Sequence, residues 1–228
     1  MTTIADRISI AQSRIKQAAQ NCSRLPSDIS LLAVSKTKPI SDIIAAYNAG
    51  QRQFGENYVQ EGQEKITALA ANYPDIEWHF IGPLQSNKTK IVAEHFDWMH
   101  TLSRDKIAQR LNDQRPANKP PLNVCIQVNI SQEDSKSGVD ANEVTTLALT
   151  ISKLPNLSLR GLMAIPTATD DIRIQQQEFA NLSALFQQLK QHHPGIDTLS
   201  MGMSADMDIA IANGSTMVRI GSAIFGER

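Results

Sequence analysis

Lys36 is the residue of this sequence best placed to do chemistry, because it follows a short apolar run. Residues 31–34 are typical of a buried strand, and Pro39 suits the first turn of a helix that follows. A lysine amine at the exit of a buried strand is partly removed from water, which lowers its pKa and lets its lone pair attack a carbonyl carbon. The alternative interpretation is a lysine whose amine simply extends into water.

The last two predicted strands are followed by small and hydroxyl residues that suit an anion. Ser204 is expected to cap the helix after it, while Gly202 and Gly221 allow close backbone approach and Ser222 adds a hydroxyl donor. An amine that faces a phosphate cradle predicts a phosphorylated aldehyde as the ligand. The alternative is that Ser204 only caps its helix and the glycines only turn the chain.

Arg219 and Asn57 are two further candidates for contact with a ligand. Arg219 lies in an apolar strand two residues before Gly221, on the same face. Because an unpaired buried charge is costly, its guanidinium needs a partner. That partner is either a carboxylate, such as Asp206 or Glu56, or an acceptor on the ligand, such as a ring nitrogen. Asn57 follows the second strand and either contacts the ligand or caps the next helix.

Strands and helices alternate along the chain after an amphipathic N-terminal helix. The predicted strands are 29–35, 53–55, 77–81, 98–102, 122–130, 157–165, 198–201 and 217–220. The predicted helices are 40–48, 58–71, 88–95, 104–114, 143–154, 174–193 and 207–212. Eight β-α units favour a (β/α)₈ TIM barrel over a doubly wound open sheet, and no GxGxxG motif follows the first strand. In such a barrel the strand ends meet at one mouth, so the candidate residues and the polar loop 133–138 are expected to lie together.

Composition excludes several other classes of function. The 228 residues carry a net charge of −1, which offers no basic field for nucleic acid. The two cysteines are far apart and the five histidines show no HExxH spacing, so we expect no disulfide scaffold and no metal site. No segment has the length and apolarity of a signal peptide core or a membrane span, and we expect a cytoplasmic protein without a membrane contact.

Six motifs together resemble the YggS/PROSC family of pyridoxal phosphate homeostasis proteins. They are Ala-Val-Ser-Lys-Thr-Lys at 33–38, Phe-Gly-Glu-Asn-Tyr at 54–58, Trp-His-Phe-Ile-Gly at 78–82, Gly-Leu-Met at 161–163, Met-Gly-Met-Ser at 201–204 and Arg-Ile-Gly at 219–221. The resemblance covers nearly the whole chain. It implies one domain over residues 1–228, a fold type III cofactor-binding barrel related to the N-terminal domain of alanine racemase.

The resemblance also implies a role for each candidate residue in binding pyridoxal 5′-phosphate (PLP). Lys36 would carry the cofactor as a Schiff base. The residues implied to contact the rest of it are Ser204, Gly221 and Ser222 at the phosphate, Arg219 at the pyridine nitrogen and Asn57 near the ring. The residues alone do not distinguish PLP from a sugar-phosphate aldehyde.

A bound cofactor does not by itself imply catalysis. A racemase needs a carbanion stabilised by the ring and two groups that exchange a proton on opposite faces of the substrate carbon. Arginine is too basic to protonate the ring nitrogen readily. The sequence ends at Arg228, soon after the eighth strand, so we expect no additional β domain of the kind that supplies a tyrosine in the racemases. Tyr58 is the tyrosine nearest to the predicted site.

We therefore expect a protein that binds and releases PLP and that is not an enzyme, without a catalytic residue. It would buffer this reactive aldehyde and supply it to PLP-dependent apoenzymes, and we expect a monomer. An amino-acid racemase on the same scaffold is the first rival hypothesis. A Schiff-base aldolase that acts on a sugar phosphate is the second. A pure scaffold protein fits the sequence least, because it would not need polar residues after several strands at one mouth of the barrel.

Overall fold

Eight parallel strands close into a barrel within residues 2–133 and 136–227, the ranges that the computed structural model describes. The strands are β1 (Ser30–Val34), β2 (Gln53–Glu56), β3 (Glu77–Phe80), β4 (Trp98–Leu102), β5 (Leu122–Gln127), β6 (Leu157–Met163), β7 (Thr198–Ser200) and β8 (Met217–Ile220). Each strand pairs with the next in the chain, and β8 pairs with β1. The predicted (β/α)₈ TIM barrel is confirmed.

Helices surround the barrel and fill the connections between its strands. They are α1 (Ile4–Asn21), α2 (Ile40–Asn48), α3 (Val59–Leu69), α4 (Thr89–His95), α5 (Asp105–Gln114), α6 (Val144–Ile151), α7 (Ile172–His192), α8 (Met207–Ala212) and α9 (Ser222–Phe225). Short 3₁₀ turns lie at Pro26–Asp28, Ser86–Lys88 and Ala141–Glu143. In the described ranges no helix combines the length and apolarity needed to cross a membrane.

The N-terminal helix α1 is confirmed and packs against α2, α8 and α9. Its buried face repeats at three- and four-residue steps, through Ile8, Ala11 and Ile15. Thr3 and Asp6 form a capping box at its first turn, in which each side chain accepts a hydrogen bond from the other residue's backbone N–H.

Among the differences between the structure and the sequence prediction are the ends of two strands and one additional helix. The fifth strand stops at Gln127 instead of 130, because the returning loop pairs there: the Val139 N–H donates to the Gln127 oxygen and the Asn129 N–H donates to the Val139 oxygen, both at 2.9 Å. The sixth strand stops at Met163, ahead of Pro166, which has no N–H to donate. The helix α9 was not predicted, since four residues are too few to show a periodic pattern. Asp134 and Ser135 of the polar loop lie outside the described residues.

Most apolar side chains are buried between the outer face of the barrel and the helices. The barrel interior differs, since Trp98, Cys125 and Met163 form a small separate cluster. Buried polar side chains accompany this cluster, among them His79 and His100. Both histidines therefore belong to the barrel core.

Gly161 in β6 marks a place where two strands approach too closely for a side chain. A Cβ atom there would lie 1.8 Å from the backbone oxygen of Thr198 in β7, and Gly161 has a φ of +155°. Because the obstacle is strand backbone, it cannot move without disturbing the β6–β7 pairing.

We predict that Gly161→Ala lowers the free energy of unfolding by about 3 kcal/mol or more, because the new methyl group forces the two strands apart. Gly195→Ala is the matched control, since a Cβ there meets nothing within 4 Å, and its effect should stay within about 0.5 kcal/mol. Urea unfolding of both variants measures the difference. Equal stability of the two variants would contradict the packing described for β6 and β7.

Candidate cofactor-binding site

A cavity of about 450 Å³ opens at the C-terminal mouth of the barrel. This volume lies within the roughly 300–1,000 Å³ range that is usual for small-molecule sites. The six residues implied to contact the cofactor all line it, namely Lys36, Asn57, Ser204, Arg219, Gly221 and Ser222. Gly202 and the described residues of the loop 133–138, which were also expected at this mouth, are not part of the lining. The barrel thus brings together residues from the ends of β1, β2, β7 and β8, as expected for this architecture.

The backbone on both sides of Lys36 is held by hydrogen bonds. Lys36 is half-buried and lies two residues beyond the end of β1. On one side, Lys65 Nζ donates to the backbone oxygen of Ser35 at 2.8 Å. On the other, the backbone N–H of Thr37 donates to Glu61 Oε1 at 2.6 Å, and Thr37 adopts a φ of +63°. The loop that carries the candidate nucleophile is therefore fixed in an uncommon backbone conformation.

These contacts belong to a Lys65 cluster, which consists of Lys65, Glu56, Glu61 and Ser35. The buried Lys65 amine lies 2.8 Å from Glu56 Oε1 and 2.6 Å from Glu61 Oε1, and Ser35 Oγ donates to Glu56 at 2.6 Å. Burial raises the pKa of Glu56, while the charge and hydrogen bond of Lys65 oppose that rise.

Sequence reasoning missed Lys65, although a signal was present. Lys65 shares the buried stripe of α3 with Gly62, Ile66 and Leu69, at three- and four-residue steps. A lysine on an apolar helix stripe requires a buried partner, and Glu56 at the end of β2 is the carboxylate that meets it.

The predicted cap by Ser204 is wrong, although Ser204 does line the cavity. The helix α8 begins after Asp206, and the Asp206 carboxylate accepts a hydrogen bond from the backbone N–H of Met203. Arg14 of α1 donates to the Ser204 backbone oxygen at 2.6 Å and pairs with Asp208 at 2.7 Å. Asp206 and Arg14 therefore hold the loop before α8. In the described residues the Ser204 hydroxyl makes no capping hydrogen bond.

Arg219 is buried and bonded to oxygen atoms that carry no charge. Its Nη1 donates to the backbone oxygen of Ser200 at 2.8 Å and to Ser200 Oγ at 3.0 Å, and its Nη2 donates to the backbone oxygen of Ala164 at 3.0 Å. Within the described residues it forms no ion pair with Asp206 or Glu56, the carboxylates considered from sequence. These bonds use at most three of its five N–H groups.

The electrostatic state of Arg219 follows from its burial. Burial lowers the pKa of Arg219 to about 10, against the opposing charge of Asp206. The guanidinium therefore stays positively charged at neutral pH and remains a hydrogen-bond donor. A buried cation with spare N–H groups at the edge of a cavity suits an acceptor on a bound molecule.

Asn57 does not cap α3, because Tyr58 occupies the N-cap position. Its Oδ1 atom is buried and has no hydrogen-bond partner among the described residues. A Cβ atom at Gly82 would lie 2.0 Å from the Asn57 backbone oxygen, so Gly82 fixes Asn57 by close backbone packing. An orphaned buried acceptor in a cavity wall is a feature that a bound ligand would explain.

The donors of the cavity fit a phosphorylated aromatic aldehyde. Lys36 offers an amine for the aldehyde, and Arg219 offers N–H groups for a ring acceptor. Ser204 and Ser222 offer hydroxyl groups for an anion. At the edge of the cavity, Lys38 Nζ donates to the backbone oxygen of Gly226 at 2.9 Å and holds the C-terminal segment in place.

The chain is similar over its whole length to proteins with a shared name. A protein of Pasteurella multocida (strain Pm70), named pyridoxal phosphate homeostasis protein, is 62% identical over 99% of this chain and 98% of that protein. A protein of Vibrio alginolyticus with the same name is 60% identical over 100% of this chain and 99% of that protein. The shared name describes a homeostasis protein and not an enzyme.

A solved structure and a family model agree with these relatives. PipY of Synechococcus elongatus PCC7942, solved with PLP bound, matches with a TM-score of 0.82 and 35% identity over 98% of this chain and 100% of PipY. The family model described as the alanine racemase N-terminal domain matches residues 10–228. The resemblance found in the sequence motifs is confirmed. The chain therefore belongs to the alanine racemase N-terminal domain family and, within it, to the pyridoxal phosphate homeostasis proteins.

Proposed function

We propose that this protein binds PLP through a Schiff base at Lys36 and acts in cytoplasmic PLP homeostasis, without catalytic turnover. The observation that carries the proposal is the meeting of Lys36, Arg219 and Ser222 in one cavity of suitable volume. The PLP-bound state of PipY, a relative that matches this chain over nearly its whole length, supports the choice of cofactor. Residues 1–228 then form one PLP-binding domain.

The proposed contacts follow from the charge and donors of each residue. PLP supplies an aldehyde, which condenses with the Lys36 amine to a C=N bond and releases water. Ser204, Ser222 and the backbone N–H of Gly221 bind the phosphate oxygens. Because Arg219 donates and does not lose its proton at neutral pH, it holds the pyridine nitrogen in its unprotonated form.

The cavity wall supports binding without turnover. Proton exchange on both faces of a substrate carbon needs a second acid or base beside the lysine. Among the described lining residues there is no histidine and no tyrosine. The Lys38 amine of the lining donates to the backbone oxygens of Gly226 and Glu227, and Glu227 is exposed. Tyr58 has 51% of its surface exposed and is not part of the lining. This chemistry fits the buffering of PLP and its supply to PLP-dependent apoenzymes better than it fits racemisation. The protein would act as a monomer.

We predict that PLP added to the protein and fixed with borohydride is recovered on Lys36. Peptide mapping by mass spectrometry measures the modified lysine, and the exposed Lys90 serves as an internal control for non-specific labelling. Modification of another lysine in place of Lys36 would contradict the proposed anchor. Trapping of a sugar-phosphate aldehyde in preference to PLP would instead support an aldolase.

A second readout separates homeostasis from racemase activity. We predict that the PLP-loaded protein does not exchange the α-hydrogen of L-alanine for deuterium above the level of a Lys36→Ala control. NMR in deuterated water measures this exchange. Sustained exchange by the unmodified protein would contradict the absence of turnover and support the racemase hypothesis.

We predict that Lys65→Met lowers the free energy of unfolding by about 3–5 kcal/mol, because it leaves the buried Glu56 carboxylate without its cation. Lys90→Met is the matched control. It removes an exposed ion pair with Glu94 at 3.6 Å, and such pairs contribute about 0–1 kcal/mol. Urea unfolding measures both, and a loss in Lys65→Met no larger than in Lys90→Met would contradict the role given to the Lys65 cluster.

A further inference from the structure

A continuous hydrogen-bond chain crosses the barrel interior from Glu77 to Arg219. Glu77 Oε1 lies 2.8 Å from His79 Nε2, and His79 Nδ1 lies 2.9 Å from His100 Nε2. His100 Nδ1 lies 3.0 Å from Ser200 Oγ, which in turn accepts from Arg219 Nη1 at 3.0 Å. The four residues from His79 to Arg219 are buried. These five residues are called the barrel chain below.

The two ends of the barrel chain lie in different surroundings. Arg219 lines the cofactor cavity at the C-terminal mouth. Glu77 is the first residue of β3, at the opposite end of the barrel, and its side chain is 38% exposed. It also accepts a hydrogen bond from Gln53 at 2.9 Å. The barrel chain therefore joins the partly solvated N-terminal end of the barrel to the cavity.

Such an interior is unusual for this fold. The centre of a TIM barrel is normally filled by branched apolar side chains in layers. Buried histidines and hydroxyls cost stability unless every member of the network is hydrogen-bonded. Here each link is satisfied, and the ring of Trp98 stacks on His79 at 5.1 Å between centroids. Because a polar network at this place is less favourable than a packed apolar core, we expect it to serve a function at one of its two ends.

The ends of the barrel chain fix the direction of all its hydrogen bonds. Arginine can only donate, so Ser200 Oγ accepts from Arg219 and turns its own hydrogen towards His100 Nδ1. Burial raises the pKa of Glu77, but the hydrogen bond and charge of His79 bring it below its usual value, so Glu77 is an anion and only accepts. Every donor then points towards Glu77, and both histidines carry their proton on Nε2.

Both histidines are neutral at pH 7, which this arrangement requires. Burial lowers the pKa of His79, against the opposing effect of Glu77. Burial lowers the pKa of His100 further, with added repulsion from His79 and Arg219. A proton added to His79 would place two N–H groups face to face between the rings and break that link.

We propose that Glu77, His79, His100 and Ser200 are positioning residues that orient and polarise the Arg219 guanidinium towards the ring of the bound cofactor. Aligned hydrogen bonds polarise one another, so the Glu77 anion strengthens the hydrogen bond that Ser200 Oγ accepts from Arg219. The Arg219 N–H groups that are not held by Ser200 and Ala164 are then directed to the cavity. This inference rests on the proposed function, because it assigns the ring contact to Arg219.

The first experiment needs no cofactor. Long-range ¹H–¹⁵N NMR spectra of the protein without PLP report the tautomer of each histidine ring. We expect both His79 and His100 to be neutral at pH 7 and protonated on Nε2. Protonation of either ring on Nδ1 would overturn the barrel chain, whatever the protein binds.

The second experiment is a double-mutant cycle on the Kd for PLP and on the visible absorption of the bound cofactor. Glu77→Gln keeps the size of the side chain but removes its charge, and Ser200→Ala removes the link while its backbone oxygen still accepts from Arg219. We expect Glu77→Gln to weaken binding by roughly two- to thirtyfold, the range of couplings through packed networks, and to shift the visible absorption. In the Ser200→Ala background we expect Glu77→Gln to change the Kd by less than about twofold.

Asp75→Asn is the matched control for Glu77→Gln. Asp75→Asn removes an equal charge two residues from Glu77, at an exposed ion pair with Arg52, and should leave the absorption unchanged. Equal effects of Glu77→Gln in both backgrounds would overturn the relay, because Glu77 would then act independently of Ser200. If the unmodified protein binds no PLP, the proposed function fails, and the histidine tautomers still decide the barrel chain. Ser200→Ala alone tests the last link if Glu77→Gln does not fold.

Discussion

The pairing of β8 with β1 is the interaction on which the site depends. It closes the barrel and sets Leu32 beside Arg219 and Ala33 beside Ile220. Residues from the two ends of the sequence thereby reach one cavity, since Lys36 follows β1 while Gly221 and Ser222 follow β8. A shift of this register by one residue would turn Arg219 out of the barrel and remove it from the cavity.

Two buried cations, Lys65 and Arg219, then shape the cavity, and they have different kinds of hydrogen-bond partner. Lys65 has two carboxylates and a backbone carbonyl as partners, and it fixes the backbone before Lys36. Arg219 has carbonyl and hydroxyl partners, and its charge is not neutralised by an ion pair in the described structure. A buried cation without a direct counterion can still attract a negatively charged or electron-rich ligand, although its removal from water costs free energy. This difference separates a structural role for Lys65 from a binding role for Arg219.

The sequence was sufficient for the architecture and for the choice of candidate residues. Alternation of short apolar runs with amphipathic helices predicted the barrel, because both faces of a parallel sheet are covered. The motif residues then had to meet at one mouth by the geometry of the fold. Their contacts were less predictable: the supposed cap by Ser204 failed, since a cap depends on where a helix begins to within one residue.

The interior polar contacts could not be derived from the sequence, for a physical reason. Glu77 and His79 alternate with apolar residues as on a half-buried strand, and His79 faces His100 of the next strand. The other partner of His100, Ser200, comes from a strand that is distant in the chain. Only the barrel closure places Ser200 between His100 and Arg219. Lys65 is different, because its place on the buried stripe of α3 already signalled a partner.

A crystal structure of the protein grown with PLP would show directly where the cofactor binds. We expect continuous electron density from Lys36 Nζ to the cofactor, with the phosphate at Gly221 and Ser222 and the pyridine nitrogen facing Arg219. A cavity without the cofactor, or density joined to a different side chain, would contradict this expectation.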